Sequence, residues 1–287
     1  MINVFYDERQ SVKENSSFSP SAQKPAQVVK SWLQMGVSIK ICSFKPSSRA
    51  ALKKVHSKSY VDGVLDCTIA NGFGNRSAQV AQALPWVAGS MVSATMEALK
   101  TGHPTFAPVS GAHHAGFSSG GGFCTFNTLV LAAVLAHEKG AKRVGIVDLD
   151  RHYGDGTQEL IEHHGLNFIQ HYSFGAQHIS SGEGAEEWLT QLRQIIYSFE
   201  GCDIIIYNAG VDSHIDDPLG GVLTTDQMAR RDLYVYEVAH KLKIPVVTAL
   251  AGGYQRDKDG SIQPVLELHN NTLSMCQSVL SRLSNAD

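Results

Sequence analysis

Asp148, Asp150 and His152 stand at alternate positions where the apolar run Val144-Gly-Ile-Val gives way to polar residues, in the order D-x-D-x-H. Carboxylates and imidazoles are the groups that hold a divalent metal or move protons near neutral pH. Open α/β sheets keep such groups at the carboxyl ends of their strands. A single acid or histidine there is more simply a helix cap or a side chain satisfied by a backbone carbonyl. Three at alternate positions outweigh that reading. Gly154 and Gly156, just beyond, predict a tight turn leading the backbone away from the cluster.

Three further segments have the same character. Ile204-Ile-Ile-Tyr-Asn-Ala-Gly-Val-Asp212 is again an apolar strand feeding glycine and then an acid. Asp212 would emerge at the same sheet edge as Asp150 and His152, and two carboxylates with an imidazole leave a catalytic zinc room for water. His214, Asp216 and Asp217 are weaker candidates, because Asp-Asp-Pro is also an ordinary turn. Gly111-Ala-His113-His114-Ala-Gly places two adjacent histidines in a loop of small residues, where both can converge as they could not on a regular strand or helix. Asp148 and Asp155 are acids suited to orienting those imidazoles. In Gly252-Gly-Tyr254 the glycines permit close backbone approach, and the phenol can donate to a developing oxyanion.

A parallel sheet is the frame that brings such strand ends together. Apolar runs at Ile2–Tyr6, Val37–Cys42, Val144–Val147, Phe168–Ile169, Ile204–Tyr207 and Pro245–Leu250 alternate with helical patterns. Helices are predicted over Ala26–Met35, Val87–Leu99, Thr128–His137, Glu187–Phe199, Gln227–Leu242 and roughly Val265 to Leu283. The alternation predicts an α/β fold of three αβα layers around a central, mostly parallel sheet. Ser16–Lys24, Gly72–Gly74 and Gly116–Gly122 read as surface loops.

The 287 residues, 43% hydrophobic and 18% charged, fit a single domain over 1–287 with a large core. A net charge of -3 gives no basic footprint for nucleic acid. No stretch is long and apolar enough to span a bilayer. Five scattered cysteines without C-x-x-C spacing argue against a disulfide framework or a thiolate zinc knot. With no signal-peptide pattern at the N-terminus, the chain reads as cytoplasmic. Assembly is left open, a homo-oligomer included.

Taken together, Gly111–Ala115, Gly122–Asn127 (G-F-C-x-F-N), Asp148–Thr157, Gly210–Gly221 and Gly252–Tyr254, with Val55–Val61, resemble the zinc-dependent histone deacetylases and acetylpolyamine amidohydrolases. Within that family the chain is similar to the class II-like amidohydrolases. The resemblance implies the arginase–deacetylase fold, a hydrolase acting on linear amides, and one zinc ion per chain held by Asp150, His152 and Asp212. It makes His113 and His114 the tandem active-site histidines, Asp148 and Asp155 their carboxylate partners, and Tyr254 the group that polarises the acyl carbonyl. Gly122 and Phe123 would line the acyl channel, with Leu219 contacting substrate at its mouth. The implied substrate is an acylated lysine or a small acylated amine.

Several positions depart from the family pattern. Arg151 stands where a bulky apolar residue is usual, and Tyr153 where a second histidine is common. Phe168-Ile-Gln-His171 replaces V-S-x-H, so the serine that helps hold a structural potassium (K+) in relatives is not evident. Gln177–Gly182 lacks the second channel aromatic, and Ser16–Pro25 lacks the usual H-P-E entry. Leu219 replaces an acid that polyamine-selective relatives can carry, which favours acyl-lysine over acylpolyamine. Two rivals are an arginase-like dimanganese hydrolase, for which the bridging acids are missing, and a catalytically silent acyl-lysine-binding protein.

Overall fold

Alternate residues of each central strand pack against opposite layers. In the computed structural model, which describes residues 1–12 and 17–284, Val144, Ile146, Ile204 and Ile206 join one apolar cluster. Their neighbours Val147, Ile205 and Tyr207 join another. A strand buried on both faces is what a parallel sheet covered by helices requires, and it accounts for the unbroken apolar runs in the sequence.

The strands are β1 (Ile2–Phe5), β2 (Ile39–Cys42), β3 (Thr105–Ala107), β4 (Val144–Asp148), β5 (Ile169–Ser173), β6 (Ile204–Asn208) and β7 (Val246–Ala249). They form one sheet of order β2-β1-β3-β7-β6-β4-β5, in which every pairing is parallel. The helices are α1 (Lys24–Gln34), α2 (Arg49–Leu52), α3 (Lys58–Leu65), α4 (Ala78–Thr101), α5 (Thr128–Glu138), α6 (Asp155–His164), α7 (Glu183–Tyr197), α8 (Thr225–Lys241) and α9 (Gln263–Ser284). Helices α1, α7, α8 and α9 supply Trp32, Leu189, Val235 and Leu268 to one cluster. Helices α3, α4, α5 and α6 supply Val61, Met91, Leu131 and Leu160 to the other.

Three expectations need correction. Ser16–Lys24 is not a plain surface loop: Ser16 lies outside the described residues, but Ser19, Ser21 and Lys24 are buried, with Lys24 Nζ donating to the Ala251 carbonyl at 2.5 Å. Gly154 and Gly156 do not form a stand-alone turn: Gly154 stands at the N-cap of α6 and Gly156 lies in its first turn. Helix α4 starts well before Val87, capped by Ser77 Oγ, and carries Pro85 in its interior. No helix among the described residues is long and apolar enough to cross a membrane.

Candidate active site

The neighbouring strands β3, β7, β6 and β4 end on the same side, and the loop after each delivers one group of residues. Burial fixes most of them: His113, Asp148, Asp150, Asp212 and Tyr254 are each at most 7% exposed.

One donor atom each from Asp150, His152 and Asp212 lies within 4.8 Å of the others. His152 Nδ1 sits 3.0 Å from Asp212 Oδ2 and 3.3 Å from Asp150 Oδ1. Burial, with the Asp150 charge beside it, pushes the Asp212 carboxyl above the usual carboxylate range. The His152 imidazole is raised to about 10 by its hydrogen bonds to Asp150 and Asp212. Two buried carboxylates aimed at one point are costly unless a cation lies between them. The donor set, anionic oxygen plus imidazole nitrogen, suits a divalent metal such as zinc.

The surrounding backbone is shaped to this cluster. Gly252 N–H donates to Asp150 Oδ2 at 2.9 Å, and Arg151 N–H donates to Asp212 Oδ1 at 3.0 Å. A Cβ on Gly252 would collide with Asp212 Oδ2 and come 2.8 Å from Asp150 Oδ2. Only glycine lets the β7 loop come this close.

The tandem histidines lie side by side, ring centroids 4.1 Å apart, yet their surroundings differ. His113 Nδ1 is 2.6 Å from Asp148 Oδ2, and its Nε2 is 3.6 Å from Asp150 Oδ1. Burial opposes its protonation, but the charges of Asp148 and Asp150 prevail and raise it to about 10. His114 Nδ1 is 2.6 Å from Asp155 Oδ1, while burial and the positive charge of His113 hold its pKa below the usual value. The two imidazoles are thus shifted in opposite directions, His113 toward its protonated form and His114 toward its neutral one. Gly122, at φ +54°, would place a Cβ 2.6 Å from His114 Cδ2, so its role is to admit the His114 ring.

Asp148 also accepts a hydrogen bond from Asn208 Nδ2 at 2.8 Å. Sequence reading passed over Asn208, although it ends an apolar strand as Asp148 does. The Tyr254 backbone N–H donates to Asp217 Oδ2 at 2.8 Å, which gives Asp217 a structural task. The Tyr254 ring packs 5.6 Å from Phe123 and 6.1 Å from Phe18. Its hydroxyl stays protonated, since burial and the charges of Asp212 and Asp150 push it far above the usual phenol value. Tyr254, Phe123, His113 and Asp150 line one small cavity.

An open groove lies outside, lined by His114, Arg151, His152, Tyr153 and Leu219. Arg151 Nε donates to the Gly220 carbonyl at 2.6 Å, holding the loop that carries Leu219. His214 and Asp216 are not brought into the cluster: His214 Nε2 lies 3.0 Å from Thr225 Oγ1, and the Asp216 side chain is 78% exposed. Ile169, in the segment that departs from V-S-x-H, is packed in the core.

The sequence profile of the Histone deacetylase domain matches residues 19–176 and 176–266. The chain belongs to that family. This deacetylase-family chain is 30% identical over 236 residues to an uncharacterized protein of Picosynechococcus, covering 73% of this chain and 77% of the relative. It is 31% identical over 208 residues to Histone deacetylase 6 of Caenorhabditis elegans, covering 60% of this chain and 21% of that protein. An Acetylpolyamine amidohydrolase of Mycoplana ramosa is 30% identical over 135 residues, 37% of this chain and 39% of the relative. The match thus spans well under half of these two named relatives. Among solved structures, the HDA15 HD domain superposes with a TM-score of 0.75 at 20% identity, covering 97% of this chain and 89% of that one. An acetylpolyamine aminohydrolase from Burkholderia pseudomallei does so at 0.69 and 18% identity, covering 97% and 99%. Those likenesses show the arginase–deacetylase fold, and the family to which the chain belongs is one of deacetylase-type hydrolases.

Proposed function

We propose that the chain is a single catalytic domain, a zinc-dependent deacylase that removes an acetyl or other acyl group from an Nε-acyl-lysine-type amine. The observation that carries this reading is the pairing of two unlike imidazole–carboxylate units beside a three-donor metal site. Zinc on Asp150, His152 and Asp212 would supply Lewis acidity to the acyl carbonyl and to a water.

The residues divide the remaining work. With Nδ1 committed to Asp155, His114 takes the water's proton at Nε2 and then delivers it to the departing amine. His113, paired with Asp148, keeps a positive charge next to the reacting centre. Tyr254 donates its hydroxyl proton in a hydrogen bond to the oxygen on which negative charge develops. Phe123 flanks the acyl arm, and Leu219 offers the groove an apolar rather than anionic contact, which favours acyl-lysine over a cationic acylpolyamine. Five unpaired cysteines support a reducing, cytoplasmic setting.

The test is turnover by zinc-loaded protein of acetyl-lysine, longer acyl-lysine and acetylpolyamine substrates, with Asp150→Ala as control. Turnover of the lysine substrates, lost in the control, is expected. Preference for the polyamine would correct the substrate class, and full activity in the control would remove the ligand assignment.

A further inference from the structure

Helix α8 turns two consecutive charged residues, Arg231 and Asp232, into the protein interior, where each is at most 1% exposed. A buried ion pair recovers the loss of its hydration only when further hydrogen bonds satisfy both groups. The destinations of those bonds therefore indicate what the pair is for.

Arg231 Nε donates to Asp232 Oδ1 at 2.8 Å. Its Nη1 donates to the Gly210 carbonyl at 2.6 Å and to the Leu149 carbonyl at 3.3 Å, while Nη2 has no acceptor among the described residues. Asp232 is itself gripped by the Tyr207 hydroxyl from β6 and by Thr272 Oγ1 from α9 at 2.6 Å.

Leu149 immediately precedes Asp150, and Gly210 lies two residues before Asp212. The last paired residues of the β4–β6 ladder are Asp148 and Asn208, so both carbonyls belong to backbone that has just left the sheet. Beyond the ladder, Leu149 N–H still reaches the Asn208 carbonyl at 3.0 Å, and Ser213 Oγ donates to the Leu149 carbonyl at 2.7 Å. Arg231 adds a single nitrogen that touches both carrier segments at once.

We propose that Arg231 is a positioning residue of the metal site, its Nη1 setting the separation of the backbone segments that carry Asp150 and Asp212. Asp232, Tyr207 and Thr272 hold the guanidinium in place. The proposal rests on the reading of Asp150, His152 and Asp212 as metal ligands. A lysine at 231 keeps the charge but offers a point donor on a flexible stem instead of a planar fork. Arg231→Lys therefore separates charge from geometry.

The experiment is titration of zinc and of cobalt into the metal-free full-length wild type and Arg231→Lys, with thermal melting alongside. Expected for the variant are zinc binding weakened about 10–100-fold, as for other residues that orient metal ligands, and an altered visible cobalt spectrum. A folded variant with wild-type zinc affinity and an unchanged cobalt spectrum overturns the proposal, however far its melting temperature falls. Should Arg231→Lys not fold, Thr272→Val decides: loss of one hydrogen bond to Asp232 should weaken zinc about fivefold, and unchanged affinity overturns the proposal. Wild-type protein that takes up no zinc removes the metal-site reading and this proposal together. Wild-type uptake with an unaffected variant removes only the role of Arg231.

Discussion

Asp155 Oδ1 lies 2.6 Å from His114 Nδ1, although 65% of the Asp155 side chain faces solvent. The bond commits Nδ1 and leaves Nε2 as the proton-accepting atom. Burial and His113 lower the His114 pKa, and Asp155 offsets part of that shift. Asp155→Asn should therefore lower the plateau of kcat/KM about 10²-fold, within the usual range for general acid–base catalysis. It should also move the acid limb of the profile to lower pH, because the group that raises the imidazole pKa is gone. A pH–rate profile of the two proteins checks both effects, and an acid limb displaced upward would contradict the pairing.

Tyr254→Phe keeps the ring against Phe123 and deletes only the hydroxyl. Loss of one donor to a developing oxyanion lowers kcat about 10²–10³-fold, with KM little changed. Steady-state kinetics on an acyl-lysine substrate decide the matter, and a loss confined to KM would make the hydroxyl a binding group only.

Stability without metal should fall as pH rises from about 7 to 8. His113 and His152 each reach about 10 in the folded protein, against roughly 6.5 when unfolded. The stabilisation from their protonation is complete below the unfolded value and is lost as pH climbs toward the folded one. Lys24, which burial pushes down to about 8, works in the opposite sense above that pH and closes the window. Zinc would take over the neutralising role of the His152 proton, so its addition should raise the melting temperature and make the slope shallower. Melting curves at several pH values, with chelator and with zinc, test this, and a metal-free slope of the opposite sign would mean that the imidazoles are not held as cations.

Leu219 is 39% exposed at the groove. Leu219→Glu adds a solvated negative charge there, worth about 1 kcal/mol to a nearby cation. The ratio of kcat/KM for acetylpolyamine over acetyl-lysine should rise about fivefold. An unchanged ratio would place the substrate's cationic portion away from this loop.

The sequence disclosed the candidate cluster more readily than the scaffold around it. Asp150, His152, Asp212 and Tyr254 were legible because each follows an apolar run, and the run itself marks a buried strand. Strand β3, only Thr105–Ala107, is too short to show a period of two. Helix α6 was hidden by Gly154 and Gly156, which read as a turn but here make room for packing: a Cβ on Gly156 would come 2.5 Å from the His114 carbonyl carbon. Arg231 and Lys24 resemble solvated charges in sequence. Their burial depends on partners far along the chain, Gly210 and Ala251, which no local pattern can report.

The strand order has a consequence for biosynthesis. Strand β7, the last in sequence among the described residues, is the one that joins β3 to β6, so β2-β1-β3 and β6-β4-β5 remain separate ribbons until residues 246–249 are in place. Tyr254 and the Gly252 amide that supports Asp150 follow directly behind it. A ribosome-bound chain that has not yet released this segment can hold neither a joined sheet nor a finished catalytic centre. Assembly of the Asp150, His152 and Asp212 cluster should therefore wait until β7 and the segment behind it have emerged, and contacts this distant in sequence make that closure intrinsically slow.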